Sequence, residues 1–197
     1  RLAAVEKRPL SSGADDASRA AILLAVGQLR DTARSGSAYV REYDAVKALA
    51  GDDPGIGAAL LALGKSTKTG VPTLTVLRDE FAEMAGPVVA KARRQNAEGW
   101  LAKVMARVGS LVTIRRTDGK SEGAPAETLV ARAESRLAAG DLAGAVDAVT
   151  GIIPLSAEAA AAVAPWSERA KSRLAMERAL AALHIHAVSS LSGSVKE

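Results

Sequence analysis

Residues 136–146 read RLAAGDLAGAV, and this short stretch decides the architecture. Upstream, Leu129, Ala133 and Leu137 recur every four residues, the spacing that lines one face of a helix. Gly140 ends that helix, because glycine alone enters the left-handed conformation of a helix terminus without a steric cost. Asp141 then offers a carboxylate to the free N–H groups of the next helix, which runs through Leu142, Ala145, Val146 and Val149. Two amphipathic helices joined by so short a turn must fold back on each other.

The same grammar holds in both directions. Downstream, Ser156 caps an alanine-rich turn, Pro165 is expected to interrupt it, and a long helix from Trp166 carries Leu180, Leu183, Ala187 and Leu191 on one face. Upstream, Pro125 opens the helix of the pair. Residues 117–124 (TDGKSEGA) form the clearest boundary in the chain. At the N-terminus, a helix is expected from Asp15 to Arg34, with Ile22, Val26, Leu29 and Ala33 inward. Ser35-Gly36-Ser37 ends it, and Ser37 is the expected cap of a second helix bearing Tyr39, Tyr43 and Val46. Asp53-Pro54 opens a third, through Ile56, Leu60 and Leu63, closed by Gly64. A fourth places Leu74, Leu77, Phe81 and Met84 inward, and Gly86-Pro87 is expected to break or kink it.

Composition agrees. Only five aromatic residues occur among 197, and aliphatics dominate, which favours helices over a β-sandwich or barrel. The absence of cysteine excludes disulfides, thiolate catalysis and cysteine metal sites. No apolar run approaches the roughly 18 residues of a membrane span. Because the chain opens on Arg1 rather than methionine, the reading expects a piece of a longer protein, with any anchor upstream. The fold class is all-α, antiparallel helical hairpins packed as a bundle. The expected organisation is a linker or frayed end over 1–14, a hairpin region over 15–116, a loop over 117–124, a C-terminal helical region over 125–191 and a tail over 192–197.

Function concentrates in residues 88–116, VVAKARRQNAEGWLAKVMARVGSLVTIRR. Seven basic residues (Lys91, Arg93, Arg94, Lys103, Arg107, Arg115, Arg116) face one acid, Glu98, a net charge of +6 against +4 for the whole chain. Wound at about 100° per residue, Trp100, Leu101, Val104, Val108 and Leu111 share one apolar arc, with Lys103 and Arg107 on its edge. Leu111 to Ile114 is β-branched enough to be extended, although no partner strand exists for it. A tryptophan flanked by basic stems that can snorkel is what a helix on an anionic membrane surface needs. The competing account is a core helix with a wet basic edge.

Other motifs carry less. Residues 59–66 (ALLALGKS) satisfy a loose phosphate-loop pattern, yet Leu60, Leu61, Ala62 and Leu63 read as buried helix, and no strand precedes them. His184 and His186, two apart, point to opposite sides of a helix and cannot share a metal. His184 reads as a packed core residue. No serine or acid pairs with a histidine base, so no catalytic residue is expected. The basic patch lacks a helix-turn-helix and the polar base-reading groups that nucleic acid would require.

The run GWLAKVMARVGSLVTIRRTDG, the segment RAESRLAAGDLAGAVDAV, the dipeptide PW and RLAMERALAALHIHAV, in this order, resemble the C-terminal region of bacterial mitofilin-type proteins over about Thr73 to Val188. The HemX-like group of inner-membrane proteins has a similar helical plan and an LV-x-IRR-like core. The RLAAGDLAGAV turn itself resembles a tetratricopeptide-like helix pair, although one pair makes no array. The mitofilin resemblance implies an N-terminal anchor and a coiled coil outside this chain. It also implies a non-enzymatic helical domain that shapes the inner membrane from the periplasm, as at cristae, through self-association and contact with other membrane-organising or outer-membrane proteins. It implies no cofactor or metal. The expected lipid- or partner-binding residues are Arg93, Arg94, Trp100, Lys103, Val104, Arg107, Val108, Leu111, Arg115 and Arg116, facing an anionic membrane surface and not nucleic acid. The alternative is a protein-binding scaffold, HemX-like or other, without direct lipid contact.

Overall fold

A computed structural model describes the backbone of residues 10–107 and 125–193, and the side chains of 17–94 and 126–190. Among the described residues every regular element is helical: α1 (Leu10–Arg34), α2 (Val40–Ala50), α3 (Pro54–Leu63), α4 (Leu74–Arg107), α5 (Pro125–Ala138), α6 (Leu142–Thr150) and α7 (Ala157–Gly193), with a 3-10 turn over Gly64–Ser66. The chain divides into two compact units. One combines residues up to Thr73 with those from Ser172, and the other runs from Leu74 to Lys171.

In the first unit, α1, α2, α3 and the C-terminal half of α7 enclose a core of Val26, Leu29, Tyr39, Val46, Ile56, Leu60, Leu63, Val71, Leu180 and Leu183. α1 begins at Leu10 rather than Asp15. Ser37 does not cap α2. The position before α2 belongs to Tyr39, whose side chain makes no cap bond and turns inward instead. There it is wholly buried, and its hydroxyl donates to the carbonyl of Leu63 at 3.0 Å. Burial raises the Tyr39 phenol above its ordinary pKa. The expected Asp53-Pro54 start is observed: the Asp53 carboxylate accepts from the N–H groups of Gly55 at 2.8 Å and Ile56 at 3.2 Å. Arg173, 7% exposed, donates to the last carbonyl of α1, Arg34, at 3.2 Å and to Glu177 at 2.7 Å. A cation at the negative end of a helix is favourable there.

In the second unit, α5 and α6 pack together, with Asp141 Oδ1 accepting from Gly144 N–H at 2.8 Å. Leu137, Leu142, Ala145 and Val149 are buried in their core. Pro165 does not interrupt α7, and Pro87 does not break α4. Around Pro165, Val163, Trp166 and Ala170 form an unbroken buried stripe. Trp166 stacks at a tilt on Phe81, 4.9 Å between ring centres, and its indole N–H donates to the carbonyl of Leu77 at 2.7 Å. Packing on both sides of the proline outweighs the one backbone hydrogen bond it removes.

Candidate lipid- or partner-binding surface

The start of the basic stretch forms the second half of α4. Ala85, Val88 and Ala92 are buried, which fits the contact between α4 and α5. One side of the helix is therefore committed to the core, while Arg93 and Arg94 are exposed. Arg93 forms an ion pair with Glu127 in the first turn of α5, where the helix dipole also favours an acid. With the arginine side chain 65% exposed, such a pair contributes on the order of 0–1 kcal/mol. It nonetheless orients Arg93 towards α5, while Arg94 lies one residue further round the helix. Beside the pair an open groove of about 490 Å³ has an apolar floor that includes Val89 and Val130, and Glu134 at its edge.

Trp100, Lys103, Val104 and Arg107 stand on the last turns of α4, and their side chains lie outside the described residues. Val108, Leu111, Arg115 and Arg116 lie outside the described residues altogether. Of the ten expected residues, the described geometry thus covers the side chains of Arg93 and Arg94.

The weaker motifs find other uses. Gly64-Lys65-Ser66 is the 3-10 turn closing α3, with Leu60 and Leu63 buried beneath it. The expected burial of Leu61 and Ala62 is overturned: Ala62 is exposed and Leu61 is 78% exposed. His186 and His184 do not come together on one ligand. His186 lies 2.9 Å from the carboxylate of Asp53, and this hydrogen bond, with those from Ile56 and Gly55, holds the Asp53 carboxyl below its ordinary value. His184 is half-buried, with Nδ1 lacking a hydrogen-bond partner. No cluster of three metal-ligating side chains occurs among the described residues. The Asp53–His186 pair left no trace in the sequence, because its members are 133 residues apart. None of the described helices is long and apolar enough to cross a membrane.

Comparison with known proteins places this helical assembly. A family described as "Mitofilin: Mitochondrial inner membrane protein" matches residues 12–188. The chain is similar to a probable magnetosome protein, Mms36, of Magnetospirillum gryphiswaldense, with 34% identity over 165 residues, 82% of this chain and 44% of that protein. It is also similar to MICOS complex subunit MIC60 of Talaromyces stipitatus, with 32% identity over 119 residues, 60% of this chain and 18% of that protein. The MIC60 protein of Pyrenophora tritici-repentis is 30% identical over 115 residues, 58% of this chain and 18% of that protein. The chain therefore spans less than half the length of these relatives. No solved structure matches it. With nearly its whole length matched, the chain belongs to the mitofilin family of inner-membrane proteins.

Proposed function

We propose that this chain is a non-enzymatic helical scaffold of a membrane-organising protein, carried on the periplasmic side of an inner membrane. In this reading the basic stretch at the end of α4 lies on an anionic lipid surface, and the intact protein self-associates to organise or bend the membrane. The observation that carries the reading is the concentration of charge: a family of inner-membrane proteins here places +6 within 29 residues of a chain whose total is +4. Each basic side chain near an anionic bilayer contributes about 1 kcal/mol, screened over about 10 Å at 0.1 M salt. Trp100 and the aliphatic arc beside it supply the apolar component that holds such a helix at the interface.

Liposome flotation tests this directly. Binding to phosphatidylglycerol-rich vesicles is expected at low salt and is expected to weaken at high salt. Binding that does not change with salt removes electrostatics as its cause. Absence of binding leaves a protein-binding scaffold, for which the groove between α4 and α5 is the supporting observation.

A further inference from the structure

α3 is chemically unusual for a surface helix. Its ten residues, PGIGAALLAL, include no polar side chain. A helix apolar on every side belongs in a core, and Ile56, Ala59, Leu60 and Leu63 are indeed buried. The opposite side is open: Pro54, Gly57, Ala58, Leu61 and Ala62, at helical i, i+3, i+4, i+7 and i+8 spacing, are all exposed. Leu61 is 78% exposed, the most exposed of the large apolar side chains described. The strip then runs into the 3-10 turn and its following loop, where Lys65 and Lys68 are exposed in their turn. Between Pro54 and Thr73 the chain carries these two lysines and no acid. Neighbouring α2 adds Arg41 and Lys47 against Glu42 and Asp44, hence no net charge. The acids Asp52 and Asp53 stand at the far end of α3, about 15 Å away along a ten-residue helix. Asp53 is further occupied by His186 and the helix cap.

We propose that the exposed face of α3 is a lipid-contacting surface separate from the basic stretch, its C-terminal end entering an anionic bilayer with Leu61 as the inserted side chain and Lys65 and Lys68 at the headgroups. The charge gradient along the helix fixes this orientation, with the lysine end towards anionic phosphates and the aspartate end away. Long lysine stems beside an inserted leucine are able to keep their ammonium groups in the headgroup layer. The apolar composition of the outer face thereby finds a solvent that suits it.

The absence of cysteine makes the test clean. An environment-sensitive fluorophore is attached to Leu61→Cys, and in a control protein to Gln28→Cys on the exposed side of α1. Vesicles containing phosphatidylglycerol are expected to shift the emission at position 61 to the blue, and lipids brominated on the acyl chain are expected to quench it, with neither effect at position 28. Lys65→Glu with Lys68→Glu is expected to lower this response at least ~10-fold, each lysine contributing roughly fivefold, while the circular-dichroism melt is unchanged because both residues are exposed. In a Lys103→Glu, Arg107→Glu background the blue shift at position 61 is expected to remain, so failure of the basic-stretch reading leaves this one standing. Vesicle-bound protein with no change at position 61 would overturn the proposal. So would a blue shift that grows with protein concentration in the absence of lipid, which would make α3 a protein interface. A shift on phosphatidylcholine that ignores the lysine substitutions would overturn it as well.

Discussion

Trp166 is 2% exposed, stacked on Phe81 and hydrogen-bonded through its indole to a main-chain carbonyl. Trp166→Ala is therefore expected to cost about 3–5 kcal/mol, read as a large drop in melting temperature. Trp100→Ala is the contrasting case. If Trp100 faces lipid, its truncation leaves the melt nearly unchanged and weakens flotation. Equal destabilisation by both variants would make Trp100 a core residue and end its membrane role. Asp53 ties residue chemistry to pH. Its carboxyl is held below the usual 3.8, chiefly by the His186 hydrogen bond, so its stabilising contribution is present above that value and is lost as pH falls through the lower folded value. His186→Gln is expected to shrink the acid-side loss of stability below about pH 4, as followed by circular dichroism. Identical acid limbs for parent and variant would count against the pair.

At the scale of elements, two glycines of opposite character make the helices and turns testable. Gly86 lies inside α4 with open space where a Cβ would project. Gly86→Ala is expected to stabilise the protein by about 0.5–1 kcal/mol, since alanine loses less backbone entropy in a helix. Gly70 has φ +69°, and a Cβ there would meet the carbonyl oxygen of Gly36 at 2.2 Å. Two turns touch at this point, and Gly70→Ala is expected to destabilise by more than the gain at Gly86. Chemical denaturation of the two variants checks both signs. A stabilised Gly70→Ala would mean that the turns do not meet as described.

For the whole molecule, the proposed scaffold role makes charge reversal on α4 the decisive variant. Arg94→Glu with Arg107→Glu is expected to reduce low-salt flotation on phosphatidylglycerol vesicles ~10-fold or more, at little cost in stability. Arg93→Ala is expected to matter less for flotation, because Arg93 is drawn to Glu127. Sedimentation velocity tests self-association. A strict monomer, both for this chain and for a form extended upstream, would remove that part of the reading.

What residue order determined by itself was local. Apolar residues at helical spacing gave the helices, and Asp53-Pro54 and Gly140-Asp141 marked their ends, because periodicity and capping involve neighbours within about four residues. The concentration of basic charge and the mitofilin resemblance were legible for the same reason: both are written in consecutive residues. The tertiary structure decided whatever depends on distant partners. Pro165 sits in an unbroken helix because buried Val163 before it and Trp166, stacked on Phe81, after it hold both sides in place. Tyr39 forsakes a capping role for a buried bond to Leu63, and Ser37 is left uninvolved in α2. His186 finds Asp53 across 133 positions. Leu60 and Leu61 are chemically alike and adjacent, yet one is buried and the other faces out. A helix turns by about 100° per residue, and only the placement of its neighbours determines which side is covered.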